Sequence, residues 1–387
     1  MAIFFDNLEM YFNQNGKSMK DTNTDSRRTF IKKASATAAS VISYPFLASC
    51  ATGVKQDKEK LGIALVGLGY YSTDLLAPAL QETQHSYLAG IVTGTPEKEK
   101  IWKEKYGIPE KNIYNYENYD EIANNPDIDI IYVVLPNSMH AEYTIRAAKA
   151  GKHVICEKPM AMNAAECEAM IKACKDNNVA LSIGYRMHFE PHTQEVMRIG
   201  QEQELGPVKM VCAGAGFTMP NASKDHWKVK KAMGGGAMMD MGVYSLQAAR
   251  YVTGEEPISV SAQAINTRKE MFNEVDETMM FQLEFPSGAM ANLHTSFGVS
   301  MNYLDARCGK GWIKMDPFSA YRNIKAQTSK AVLEYPVINQ QAAQMDEVAQ
   351  CIKEGKPMRV PGEEGLKDMK VVDAIYKSAG TGEKIIL

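Results

Sequence analysis

No run of apolar residues in this chain is long and uninterrupted enough to mark a membrane-spanning helix. Its seven cysteines contain no C-x-x-C pair, which argues against a zinc ribbon and a small disulfide scaffold. His188 and His192 have H-x-x-x-H spacing, but Pro191 interrupts it and no acidic partner completes a ligand set, so no metal is expected. Charge of one sign is lacking too. The 43 Lys and Arg against 46 Asp and Glu leave a net charge of -3, which gives no reason to expect nucleic acid as a partner. What remains is an ordinary globular composition, 45% hydrophobic and 23% charged, over 387 residues. That length accommodates two domains with separate cores.

The first sixty residues read as address rather than fold. Residues 26–33 are S-R-R-T-F-I-K-K, a twin-arginine export pattern centred on Arg27 and Arg28. Residues 34–49 are mildly apolar and rich in Ala and Ser, too short to span a bilayer and apt for a signal peptide. They end Leu47-Ala48-Ser49-Cys50, which resembles a lipobox and makes Cys50 the candidate for acylation. The alternative is ordinary cleavage near Ala51 with Cys50 as a bystander. Met19 offers an alternative start upstream of the arginines, and residues 51–60 form a polar tether. Residues 1–60 are thus leader, signal and tether. The expected location is periplasmic or lipid-anchored to the envelope. Twin-arginine export carries folded proteins, which suits an enzyme that loads a cofactor before it leaves the cytoplasm.

From residue 61 the pattern changes. Residues 61–66 are a short apolar run of the kind that forms a buried parallel strand. Gly67-Leu68-Gly69-Tyr70-Tyr71-Ser72 follows and opens a helix running through Leu80. Glycines here permit a tight turn and a close approach of backbone to a pyrophosphate, and the helix amino terminus supplies free N–H groups. The third small position is Ser72, a mild departure from glycine or alanine. A second strand, about 87–92, ends in Thr93-Gly94-Thr95, with Lys98 close behind. An NAD site usually places a carboxylate at this strand end to hold the ribose 2′-hydroxyl. A hydroxyl and an ammonium instead suit a 2′-phosphate, so the expected cofactor is NADP rather than NAD. Strands at 129–135, 153–156 and 180–185 alternate with helices at 138–150 and 164–176. That alternation predicts a doubly wound parallel sheet, with ligands at the carboxyl ends of its strands. Gly67, Thr93, Pro136 and Lys158 all fall at such ends.

Gly67-Leu68-Gly69, Pro136-Asn137-Ser138-Met139-His140-Ala141 and Cys156-Glu157-Lys158-Pro159-Met160 together resemble the Gfo/Idh/MocA oxidoreductase family, from about residue 61 to the carboxyl terminus. Within it the chain looks most like the glucose–fructose oxidoreductase branch, on residues 184–191, 234–244, 254–257 and 361–365. The resemblance implies a Rossmann domain at 61–184 and an α+β domain at 185–387 built on a large, mostly antiparallel open sheet. Strand-like runs at 208–212, 258–262, 278–285 and 290–294 agree with it, and Pro286-Ser287-Gly288 marks a hairpin turn. The resemblance also implies a homodimer or homotetramer joined through that sheet.

Hydride transfer at a sugar carbon needs the carbon against the nicotinamide and a group that takes the hydroxyl proton. By resemblance, Lys158 orients substrate and takes part in proton transfer. Asp240 and Tyr244 follow a triple glycine, and four-residue spacing puts both on one face of a helix. Many family members have histidine at the position of Tyr244. Tyrosine ordinarily titrates near pH 10, and a neighbouring lysine stabilises its anion. Tyr244 is therefore the expected proton acceptor, with Asp240 holding substrate hydroxyls. Gly67, Leu68, Gly69, Tyr70, Tyr71, Thr93, Lys98, Leu135, Pro136, Asn137, His140, Glu157, Lys158 and Arg186 are the expected cofactor contacts. Arg186 and His188 are also placed at the substrate entrance and Tyr185 beside the cofactor; Lys228, Lys230 and Lys231 could reach phosphate, but a solvated basic face is the expectation. The glycines of 234–236 are read as letting the loop approach ligand. The implied activity is oxidation of a glucose-like aldose to its lactone, with the hydride passed to a fructose-like second sugar. Two other chemistries use the same residues: a conventional NAD(P)-dependent sugar dehydrogenase, and a nicotinamide-dependent glycoside hydrolase.

Overall fold

Every residue of Leu61–Val66 is buried, and a strand with no polar face belongs in the middle of a sheet. The strands of the first half are β1 (Leu61–Val66), β2 (Ser86–Val92), β3 (Ile113–Tyr114), β4 (Ile130–Val133), β5 (His153–Cys156) and β6 (Leu181–Ile183). They form one sheet in the order β3-β2-β1-β4-β5-β6, with every pairing parallel. The direction of progression reverses between β1 and β4, and such a reversal opens a crevice at the carboxyl ends of the strands. The structure is a computed structural model and describes residues 58–221 and 224–387. The expected twin-arginine signal at Arg27 and Arg28, the alternative start at Met19, the expected lipobox at Cys50 and residues 51–57 lie outside the described residues.

The covering helices follow from spacing and caps. Helix His140–Lys149 buries His140, Tyr143, Thr144, Ala147 and Ala148, one helical face. Helix Ala164–Asp176 starts at Asn163, whose side chain accepts from the Glu166 N–H at 2.9 Å, a cap of the kind that stabilises by about 1 kcal/mol. It buries Cys167, Met170 and Cys174.

The second sheet comprises β7 (Val208–Gly216), β8 (Ser259–Ile265), β9 (Thr278–Glu284), β10 (Met290–Ser296), β11 (Met301–Cys308), β12 (Gly311–Met315), β13 (Ala326–Thr328), β14 (Val332–Leu333) and β15 (Ile385–Ile386). Their order is β14-β13-β12-β11-β7-β10-β9-β8-β15. The β7–β10 pair is parallel and the others are antiparallel. The β9–β10 hairpin closes at Gly288, whose φ of 80° suits glycine, and whose N–H donates to the Phe285 carbonyl at 2.9 Å. Alternation in β9 sends Met279, Phe281 and Leu283 to one face. That face packs on helices Val243–Thr253 and Gly362–Thr381. Helix Gln340–Glu354 returns to the first sheet, where Met345, Val348 and Ala349 join Leu61, Leu65 and Ile91 in one apolar cluster.

Candidate functional site

The turn after β1 is built for close approach. Gly67 has φ 90°, and a side-chain carbon there would sit 2.5 Å from the Val134 carbonyl oxygen and 2.8 Å from Leu135 Cδ2. Only glycine fits. A carbon added at Gly69 would meet nothing within 4 Å, so its surroundings leave room for a ligand group. Ser72 is buried and donates to the Gly67 carbonyl at 2.6 Å, which ties the turn to the π-helical segment Tyr71–Leu76 behind it. At the end of β2, the Thr93 hydroxyl accepts from the Thr95 N–H at 3.3 Å. The Lys98 ammonium reaches back from helix Pro96–Tyr106 to the Leu68 carbonyl at 2.8 Å. After β4 come Leu135, Pro136 and Asn137, and after β5 come Glu157 and Lys158. These strand ends open onto one cleft of about 870 Å³, within the range of ligand pockets of about 300–1,000 Å³. Room at Gly69, free backbone at a helix start and a lysine over the glycine turn together fit a dinucleotide.

Glu157 and Asp240 are the carboxylates that line this cleft. Glu157 follows β5, whereas Thr93 follows β2, three strands away. At that far end the Lys158 ammonium donates to the Asp240 carbonyl at 2.6 Å, lies 3.6 Å from its Oδ1 and stands 4.9 Å from the centre of the Tyr244 ring. Lys228 Nζ donates to Asp240 Oδ2 at 2.6 Å. Burial disfavours the Asp240 anion, but Lys228 and Lys158 outweigh it and hold this carboxyl below its ordinary range. Burial likewise opposes the Lys158 cation, yet Tyr244, Asp240 and Glu157 raise its pKa, so it stays charged. Glu157 goes the other way. Burial pushes its carboxyl up, although Tyr132 donates to its Oε1 at 2.7 Å. Asp240 belongs to the π-helical turn Met238–Gly242, which runs into helix Val243–Thr253 carrying Tyr244. The turn is wider than an α-helix, and both side chains still face the cleft.

Of the residues marked in the sequence, Gly67, Leu68, Gly69, Tyr70, Tyr71, Thr93, Lys98, Leu135, Pro136, Asn137, Glu157, Lys158, Asp240 and Tyr244 line the cleft. Tyr70 stands at its rim, 66% exposed. His140 and Arg186 do not line it. His140 is fully buried, its ring nitrogens 2.8 Å from the Pro159 and Leu135 carbonyls. It braces the two strand ends against each other, and burial keeps its pKa low. After β6 the short helix Arg186–Phe189 buries Arg186 away from the cleft surface. There its guanidinium donates to the Ser319 carbonyl at 2.5 Å and lies 5.3 Å from the Tyr244 ring centre and 4.4 Å from that of Tyr321. Tyr185 and His188 go the same way: Tyr185 is buried, and the His188 ring packs 4.3 Å from that of Tyr251.

One further sequence expectation is corrected. Lys228 is not on a solvated face; it lines the cleft with Trp227, and Tyr116 and Tyr321 line it as well. The signal for Lys228 was its place next to an aromatic and just ahead of the glycine loop. The glycines of 234–236 serve protein packing. Carbons added at Gly234 would press on Asn137 Cβ and Met162 Sδ, each at 2.6 Å. One at Gly235 would strike the Lys228 carbonyl, and one at Gly236 the Asp276 carboxylate. The Asn137 amide donates to the Gly234 carbonyl at 2.7 Å, which joins the strand end after β4 to the loop that presents Asp240.

Comparison with known proteins agrees with this layout. A model of the oxidoreductase family, NAD-binding Rossmann fold, matches residues 61–185. The GFO/IDH/MocA C-terminal domain matches 193–314, and the oxidoreductase family C-terminal alpha/beta domain matches 318–387. The crystal structure of aldose-aldose oxidoreductase from Caulobacter crescentus, complexed with glycerol, is 45% identical and superposes with a TM-score of 0.82 over 85% of this chain and 100% of that one. D-xylose 1-dehydrogenase (NADP(+)) 2 of Haloferax volcanii is 29% identical over 333 residues, 84% of this chain and 98% of its own length. Trans-1,2-dihydrobenzene-1,2-diol dehydrogenase of Xenopus tropicalis is 33% identical over 241 residues, 61% of this chain and 68% of its own.

Proposed function

The chain belongs to the Gfo/Idh/MocA oxidoreductase family, and on that premise we propose that it is an exported, NADP-containing enzyme that oxidises an aldose to its lactone and hands the hydride to a second sugar. The observation that carries this reading is the convergence of Lys158, Asp240 and Tyr244 at one end of the cleft that the Gly67–Gly69 turn opens. The aldose-aldose oxidoreductase and NADP-dependent xylose dehydrogenase among its relatives support it.

The nucleotide assignment rests on the cleft's adenosine end. Thr93, Gly94, Thr95, Lys98 and Tyr116 line it, and no carboxylate stands among them. A 2′-phosphate meets a lysine and hydroxyls there, where a carboxylate would repel it. Bound NADP supplies the nicotinamide that accepts and returns a hydride. The chain's own residues do the rest. Tyr244 takes the proton of the reacting hydroxyl on its phenolic oxygen. The Lys158 cation, 4.9 Å from the ring centre, orients the sugar. Asp240, held ionised between two lysines, accepts hydrogen bonds from sugar hydroxyls.

The reading extends to the whole chain: the twin-arginine signal directs export, Cys50 anchors the protein by lipid, and the open sheet joins subunits into a dimer or tetramer. The test is turnover with NADP against NAD on a panel of aldoses, with the lactone identified. Lactone formation with a clear preference for NADP supports the reading; absence of lactone from every aldose contradicts it.

A further inference from the structure

Beyond its ion pair with Asp240, Lys228 has no step in the proposed chemistry, yet the fold holds it closely in place. Its N–H donates to the His226 ring at 3.2 Å. Its carbonyl accepts from the Gly236 N–H at 2.9 Å, and the side-chain-free Gly235 lets that carbonyl come close. Its ammonium stands 5.2 Å from the Phe217 ring centre and 5.8 Å from that of Trp227, and donates to Asp240 Oδ2 at 2.6 Å. A solvated lysine has no need of two aromatic walls, a clamped backbone and a buried carboxylate.

The Asp240 carboxylate is thereby divided. Oδ2 is bound to Lys228, while Oδ1 is left 3.6 Å from Lys158, longer than a hydrogen bond. Oδ1 is the oxygen with capacity for a sugar hydroxyl. An ammonium has three donors, and Lys228, part-exposed at the cleft wall, keeps donors for an adjacent hydroxyl oxygen. An acceptor and a donor side by side match two vicinal hydroxyls, one giving and one receiving. Trp227 beside them offers the C–H face of a sugar ring an apolar surface.

We propose that Lys228 is the positioning and specificity residue of the sugar site, fixing Asp240 so that the pair reads two adjacent hydroxyls against the face of Trp227. This rests on the sugar-oxidoreductase reading above and deepens it. The groups facing Asp240 are Lys228, Lys158, His226 and Tyr244. Lys228 is one of the two cations that hold the carboxyl down. Its removal therefore shifts the acid limb of kcat/KM to higher pH, which a purely structural role would not do.

The experiment compares the wild type with Lys228→Met, Lys228→Arg and, as a control, exposed Lys230→Met. KM and kcat are measured for an aldose and for its deoxy analogue, together with nucleotide affinity. Sugar binding is read separately through the fluorescence of Trp227. Lys228→Met should raise the aldose KM about 10-fold or more, with kcat changed far less. It should also narrow the discrimination between aldose and deoxy sugar, move the acid limb upward and leave nucleotide affinity unchanged. Lys228→Arg should restore most of the KM, because a guanidinium can also bridge to Asp240 and stack on Trp227. Unchanged KM and acid limb in Lys228→Met overturn the proposal. A loss confined to nucleotide affinity overturns it as well and assigns Lys228 to phosphate. If the wild type oxidises no aldose, the function reading fails on its own, and the fluorescence titration still decides whether Lys228 sets sugar binding.

Discussion

Tyr244 sits between two cations, with Lys158 Nζ 4.9 Å and Arg186 Cζ 5.3 Å from its ring centre. Tyr244→Phe keeps the ring between them and removes the proton acceptor. Steady-state kinetics should find kcat lowered by about 10²–10⁴-fold, with nucleotide affinity retained; full turnover in this variant would remove Tyr244 from the chemistry. Asp240 sets the acid behaviour. Its carboxyl is held below the ordinary range, so the ion pairs with Lys228 and Lys158 contribute stability at every pH above that range. The contribution is lost only as pH falls through the lowered value. Titration of Asp240 by carbon NMR should give a midpoint under the ordinary carboxylate value of about 4.

Among the elements, the loop 234–236 does the most to assemble the site. Its glycines let one backbone touch Asn137, Met162, Lys228 and Asp276 at once. At Gly234 the φ of 76° disfavours any side chain as well. Gly234→Ala should cost about 1–3 kcal/mol by chemical denaturation, and should weaken nucleotide binding and turnover together, because Asn137 and Asp240 lose their common support. Two of the strands that frame the site were legible to the residue: β1 and β5 are apolar runs bounded by glycine or charge, with little else they can be. β11 and β12 are different. Their residues, Met301–Cys308 and Gly311–Met315, mix charged, aromatic and small side chains, and only pairing, of β11 with β7 and of β12 with β11 and β13, makes them strands. The cleft-facing motifs were legible because they combine glycine, proline and charge at strand ends. The retreat of Arg186 and the arrival of Lys228 were not, since both depend on tertiary contacts with residues far off in the chain, Ser319 and Tyr321 for Arg186 and Asp240 for Lys228.

At the scale of the whole molecule, the proposed address and the proposed chemistry belong together: an enzyme outside the cytoplasm meets little free nicotinamide, and passing hydride between two sugars removes the need for it. Replacing Arg27 and Arg28 by Lys should retain the protein in the cytoplasm, and Cys50→Ser should abolish lipid labelling while leaving the purified enzyme active. Cell fractionation and radiolabelled fatty acid check both. The central claim is the internal hydride shuttle, and the most direct measurement is the absorbance spectrum of the purified, desalted protein, taken before and after adding an aldose and then a second sugar. The account predicts a retained nucleotide whose reduced-nicotinamide band rises with the first sugar and falls with the second. A protein that emerges from desalting without nucleotide, and reduces only added NADP, would contradict it and leave a conventional sugar dehydrogenase.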